Sequence, residues 1–119
     1  MPYIHIVTSR RLDAAQTEAL RRCALNAAAQ MGKPPERVMV HIESGAALTL
    51  GETAEECAFC DVRVLGAATA EACNRFAARL SGDIAHFAHT RPGGVYLSLT
   101  KMALCYPDGN LPPGMCPGT

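Results

Sequence analysis

Pro2 directly follows Met1. Methionine is ordinarily removed when the next residue is small, and proline qualifies, so the processed chain is expected to begin with a secondary amine. A free α-amino group titrates at roughly 7.7–8.0 in model peptides. Burial or a nearby cation lowers that value, which brings Pro2 into the range of a general base near neutral pH. If Met1 stays in place, the Pro2 nitrogen is an amide and has no basicity. Lys33 is the second candidate. It is one of two lysines and sits in Gly32-Lys33-Pro34-Pro35. The prolines stiffen the loop, and an ammonium held in one region can bind a carboxylate as a point charge. Each residue also has an ordinary reading, as a common second residue and as a solvated loop lysine.

Six cysteines are present: Cys23, Cys57, Cys60, Cys73, Cys105 and Cys116. Cys57-Ala58-Phe59-Cys60 is a CxxC, which reads as structural thiols, with thiol–disulfide exchange or half of a zinc site as alternatives. A zinc site needs two further ligands at matched spacing, and no second CxxC exists. A thioredoxin-type pair opens a helix, whereas this one enters a strand. The histidines are scattered. His5 and His41 fall in strands. His86 and His89 fall near a helix end, where a cation interacts well with the helix dipole; they read as helix-end residues rather than as ligands. No metal and no cofactor are expected. No phosphate loop, Ser-His-Asp set or paired carboxylate stands out.

The chain has 119 residues, one domain's worth. Lys plus Arg and Asp plus Glu each total 11, so net charge is zero. That speaks against a nucleic-acid-binding module and against a polybasic membrane anchor. Hydrophobic residues are 49 % and charged residues 18 %, a composition that packs a core and does not stay disordered. No apolar run is long enough to span a bilayer, and no secretory signal is evident. A cytoplasmic location with mostly reduced thiols is the expectation, leaderless secretion being the alternative. Arg outnumbers Lys and alanine is abundant, which points to a GC-rich, bacterial gene.

The elements that must position Pro2 and Lys33 read as two similar halves. Residues 3–8 are β-branched and aromatic, a strand. Asp13, with Gln16 as its capping-box partner, begins a helix whose apolar stripe is Leu20, Cys23, Ala24, Ala27 and Met31. Gly32 stops it and the prolines prevent continuation. Residues 37–43 form a second strand. Residues 58–65 form a third, Gly66 a turn, and Thr69 caps a second helix with the stripe Cys73, Phe76, Ala77, Leu80, Ile84 and Phe87. Arg91-Pro92-Gly93-Gly94 is expected to break it, and residues 95–100 form the fourth strand. The pseudo-repeats span about 2–44 and 57–101 in a single domain, and 106–119, rich in proline and glycine, is a C-terminal arm. The predicted fold is α+β, with two β-α-β units of α/β type. Their parallel crossovers form one four-stranded sheet with both helices on one face. Apolar residues on both sides of the strands, such as Ile4 and Ile6 against Tyr3 and Val7, ask for a covering subunit.

These signals converge. Met1-Pro2, Gly32-Lys33-Pro34-Pro35 followed by Val40-His41, Cys57-Ala58-Phe59-Cys60, Asn74-Arg75 and Val95-Tyr96 occur in order on the doubled plan. In these marks, from Pro2 to about Met102, the chain resembles the macrophage migration inhibitory factor family and its tautomerase relatives. The resemblance implies a homotrimer with active sites between subunits. It implies a keto–enol tautomerase acting on an α-keto acid such as phenylpyruvate, with Pro2 as the catalytic base. Lys33 would bind the substrate carboxylate. Leu65, where the family typically has Ile, would offer its backbone N–H. Tyr96 from the adjacent subunit would line the pocket. Ser98 stands where animal members carry Asn, and Pro107 and Gly109 stand where those members place pocket walls, with Tyr106 a candidate substitute. The alternatives are a signalling protein that docks to a receptor and keeps a vestigial pocket, or a thiol oxidoreductase using Cys57 and Cys60.

Overall fold

The β1 strand (Pro2–Thr8) buries every second residue, from Pro2 through Ile4 and Ile6 to Thr8. That is the period of a strand with one face in the core. These observations come from a computed structural model that describes residues 2–110. The arm predicted at 106–119 therefore lies outside the described residues from 111 onward, and Met1 and Cys116 lie outside them too.

Helix α1 (Ala14–Ala28) starts where the capping box predicted. The Gln16 N–H donates to the Asp13 carboxylate at 2.7 Å, and the Asp13 N–H donates to the Gln16 side chain at 3.0 Å. Two N–H groups that the first helical turn leaves unpaired are thus satisfied. Leu20, Ala24, Ala27 and Met31 are buried and Cys23 half-buried. The helix tightens into a 3₁₀ turn at Ala29–Met31 and ends on Gly32, whose φ of 70° is left-handed.

The β2 strand (Met39–Glu43) is shorter than the predicted 37–43. Pro35 stands in the first turn of a 3₁₀ helix, Pro35–Arg37, which its fixed φ favours. Arg37 and Val38 are thereby kept out of the sheet. The β3 strand (Ala58–Leu65) has the predicted bounds. Helix α2 (Ala70–Ala88) is capped by the Thr69 hydroxyl, which accepts from the Ala72 N–H at 3.0 Å. Its buried row is Ala72, Phe76, Leu80, Ile84 and Ala88, with the predicted Cys73, Ala77 and Phe87 half-buried beside it. The helix ends earlier than the Arg91–Gly94 breaker, because His89 turns left-handed with φ 54°. Strand β4 (Val95–Met102) runs past the predicted end at Thr100.

The four strands lie in the order β2-β1-β3-β4. β1 and β2 are parallel, as are β3 and β4, and the two halves join through the antiparallel pair β1 and β3. The helices pack on each other and on the inner row of Ile4, Ile6, Cys60, Val62 and Val64. The fold is thus a four-stranded mixed sheet with two helices, as predicted.

The uncovered face differs from the expectation of a second apolar surface. Register places His41, His5, Asp61 and Ser98 in one row across the sheet, and Glu43, Val7, Phe59 and Tyr96 in the next. Met39, Phe59 and Tyr96 are exposed large apolar side chains, but they are interleaved with ionisable ones. Val40 faces inward and packs on the core, and Val38 precedes the strand. Among the described residues no helix is long and apolar enough to cross a membrane.

Candidate active site

Pro2 is the first residue of β1 and is fully buried. Its cross-strand partner is Val64, the penultimate residue of β3. β1 is an interior strand, flanked by β2 and β3; its pairing with β2 begins one residue on, at Tyr3 with Met39.

Lys33 reaches the same end of the sheet from α1. The left-handed Gly32 reverses the chain after the 3₁₀ turn, and the Lys33 N–H donates back to the Ala28 carbonyl at 3.3 Å. The extended Pro34, with φ −69°, then commits the backbone to leave. The half-buried Lys33 side chain extends to the end of β3, where its Nζ donates to the Leu65 carbonyl at 3.0 Å. Leu65 directly follows Val64, the partner of Pro2. Lys33 is therefore anchored one residue from the position paired with the Pro2 ring.

Gly66 was legible in the sequence only as a turn, yet it shapes this site. Its φ is +98°, and a Cβ built there would stand 3.2 Å from Lys33 Nζ. A side chain at this position would strain the backbone and crowd the ammonium. A cavity of about 330 Å³ is lined by Glu36, Arg37, Val38, Met39 and Pro107. Met39 is the β2 partner of Tyr3, so this hollow opens beside the Pro2 end of β1. Pro107 lines this hollow. Arg37, expected in a strand, lines it beside Glu36 because the 3₁₀ turn takes it out of the sheet; Pro2 and Lys33 are not among the lining residues.

Tyr96 and Ser98 are not brought to Pro2 within one chain. Val64 pairs with Lys101 on β4. Tyr96 lies five residues before Lys101, roughly 16 Å along the strand. It is 57 % exposed and borders a separate hollow with Leu48, Leu50, Cys57 and Phe59.

The CxxC is built as core. Cys60 is fully buried on the inner face, and burial, followed by the nearby Asp61 charge, pushes its thiol up to about 12. Cys57 is buried just before β3, and its Sγ donates to the Leu48 carbonyl at 3.4 Å. Exchange needs an accessible thiolate, and Cys60 is placed to resist forming one. His86 and His89 do not share a helix face as ligands would, since His89 is the left-handed cap and His86 meets the Phe87 ring edge-on.

Known proteins share both the sequence pattern and the fold. A family model described as macrophage migration inhibitory factor (MIF) matches residues 1–103. A macrophage migration inhibitory factor homolog of Brugia malayi is 28 % identical over 80 residues, covering 67 % of this chain and 70 % of that protein. MIF2 of Leishmania major superposes with a TM-score of 0.84 at 17 % identity, covering 93 % of this chain and 97 % of the other. Pt0534, solved after inactivation by 2-oxo-3-pentynoate, superposes at 0.78 with 20 % identity, covering 92 % and 94 %. The match runs through β1, the Lys33 loop and the end of β3, the three places that meet around Pro2, and on that ground the chain belongs to the macrophage migration inhibitory factor family.

Proposed function

We propose that the protein is a keto–enol tautomerase for α-keto acids such as phenylpyruvate, with the Pro2 amine as general base once Met1 has been removed. The observation that carries this reading is the anchoring of Lys33 at Leu65, beside the strand partner of a buried Pro2. The reaction needs a base and a carboxylate anchor at fixed separation. The neutral Pro2 nitrogen takes a proton from the carbon next to the ketone. The electrons move onto the carbonyl oxygen, and the proton held on nitrogen is returned to that oxygen, giving the enol; the reverse path gives the ketone. No electrons are exchanged with a cofactor.

An ammonium has three N–H donors. The Leu65 carbonyl engages Lys33 through one hydrogen bond, which leaves donors for a substrate carboxylate without releasing the anchor. Holding the acid so that its C–H faces Pro2 is the near-attack positioning that lowers such barriers by several kcal/mol. The Leu65 N–H is a further contact for the substrate's oxygens.

Lys33→Ala tests the site. Loss of a charge-assisted contact costs roughly 1.5–3 kcal/mol, so kcat/KM for phenylpyruvate should fall about ten- to hundredfold. The residue is in a loop, so the melting temperature should move by only a few degrees. Unchanged kinetics would return Lys33 to an ordinary loop lysine.

The proposal includes a homotrimer, because Tyr96 and Ser98 can line the Pro2 pocket only from a second copy, and Met39, Phe59 and Tyr96 are left exposed on one face. Light scattering at micromolar concentration should give about three times the chain mass of 12.6 kDa. A clean monomer that still turned over substrate would remove Tyr96 and Ser98 from the site.

A further inference from the structure

We propose that His5, His41 and Glu43 form a binding site for one divalent transition-metal ion on the uncovered face of the sheet. The site is separate from Pro2. His5 lies three residues along β1, about 10 Å, and points to the opposite face, because Pro2 is on the buried alternation and His5 is not.

Three donor atoms converge there. Parallel pairing sets His5 directly against His41, and Glu43 follows two residues later on the same face of β2. His5 Nε2 lies 2.8 Å from Glu43 Oε1, and His41 Nε2 lies 3.3 Å from the same oxygen. One ligand atom from each of the three residues can be chosen so that all lie within 4.8 Å of one another. Two ligands at the usual zinc distances of about 2.0–2.1 Å, at a tetrahedral angle, stand about 3.3 Å apart. The His41 contact already has that spacing, and the His5 contact needs to open by only about half an ångström.

The imidazoles are pre-arranged. Their rings stack with centroids 4.2 Å apart and planes within 4°, which keeps both Nε2 atoms beside one carboxylate oxygen; because an imidazole lone pair lies in its ring plane, one ring turns out of the stack when both bind a single ion. Tyr3 Oη lies 3.0 Å from His41 Nδ1. With a proton on Nδ1, His41 donates to the tyrosine hydroxyl and keeps the Nε2 lone pair free, the outer-shell arrangement that orients metal-ligating histidines. Asp61 stands opposite His5 on β3, but its carboxylate is turned to Arg63 at 3.6 Å. In the single chain, side-chain exposures of 26 % for His5 and 49 % for Glu43 leave room for water to complete the coordination shell, and the proposed trimer, which turns this face toward neighbouring copies, must leave that water in place. Two imidazoles and a carboxylate suit zinc, cobalt, nickel or copper rather than magnesium or calcium.

No metal was expected from the sequence, because the ligands are divided between two strands and only the β1–β2 register brings them together. The test uses the full chain, reduced and titrated with Co²⁺. One equivalent should bind, with visible d–d bands and no sulfur-to-cobalt charge-transfer band, and Zn²⁺ should displace it. His41→Ala and Glu43→Gln should abolish the bands while the far-ultraviolet circular dichroism stays as in the wild type. Tyr3→Phe should weaken binding roughly ten- to hundredfold. Charge transfer from sulfur, or bands that persist in His41→Ala, overturns the site. If a variant does not fold, the wild type decides. Co²⁺ should broaden the His5 and His41 imidazole resonances before those of His86 and His89, and the reverse order overturns the proposal. None of these readouts depends on tautomerase activity.

Discussion

Protein that keeps Met1, or carries any added residue before Pro2, is expected to lose keto–enol turnover completely while remaining folded. The ring nitrogen is then an amide whose lone pair is delocalised and cannot take the substrate's proton. Removal of Met1 should restore activity. The pH dependence has a definite sign. Only the neutral amine can accept a proton, so kcat/KM should be low at acid pH and rise to a plateau through a single ionisation. Pro2 is fully buried and Lys33 carries a positive charge nearby, and both disfavour the protonated amine. The midpoint should therefore fall below the roughly 7.7–8.0 of a free terminal amine. Pro2→Gly leaves a primary amine and should keep partial activity, whereas the Met-blocked form keeps none. Equal rates for blocked and processed protein would refute the mechanism, and the fold would be unaffected by that result.

The largest expected loss of stability is at Phe76. It is fully buried in the row Ala72, Phe76, Leu80, Ile84 and belongs to the same core as Ile4, Ile6, Val62 and Val64. Phe76→Ala removes an aromatic ring where neighbours cannot all collapse, at a cost of about 3–5 kcal/mol. Against a total of roughly 5–15 kcal/mol for a domain, that is a large fraction. Urea unfolding should show a much lower midpoint at an unchanged slope. Phe59→Ala is the natural contrast, since Phe59 is 40 % exposed on the other face and should cost far less in dilute protein. A loss below about 1 kcal/mol for Phe76→Ala would mean that α2 does not carry the core.

Much of the fold was legible locally. Asp13 with Gln16, Gly32, Thr69 and the bounds of β3 are set by capping chemistry and side-chain alternation, which involve near neighbours. The misplacements have local causes that compete with pattern. Pro35 began a turn where the run of 37–43 looked extended, and His89 adopted a left-handed cap that only geometry reveals. The candidate site was legible in part. Pro2 and Lys33 stood out by residue type. Their common neighbour Leu65 was available only through the resemblance, and the role of Gly66 depends on an approach of Lys33 that no spacing encodes. The triad His5, His41 and Glu43 was hidden for the same reason: a one-residue change in β1–β2 register would dissolve it.

Pro2 and Lys33 belong to the first half of the chain and Leu65 to the second, and they are joined by the antiparallel pairing of β1 with β3. That pairing links residues as distant in sequence as Pro2 and Val64, the kind of contact whose closure is slow compared with helix formation. Each β-α-β half can gather its own helix early, yet neither half alone contains the proposed catalytic site. During refolding from denaturant, the helical signal should therefore return first and turnover last. The proposed turnover cannot precede the meeting of the two halves, nor the meeting of the copies that supply Tyr96 and Ser98, and activity that returned in step with the helices would show that both occur from the outset.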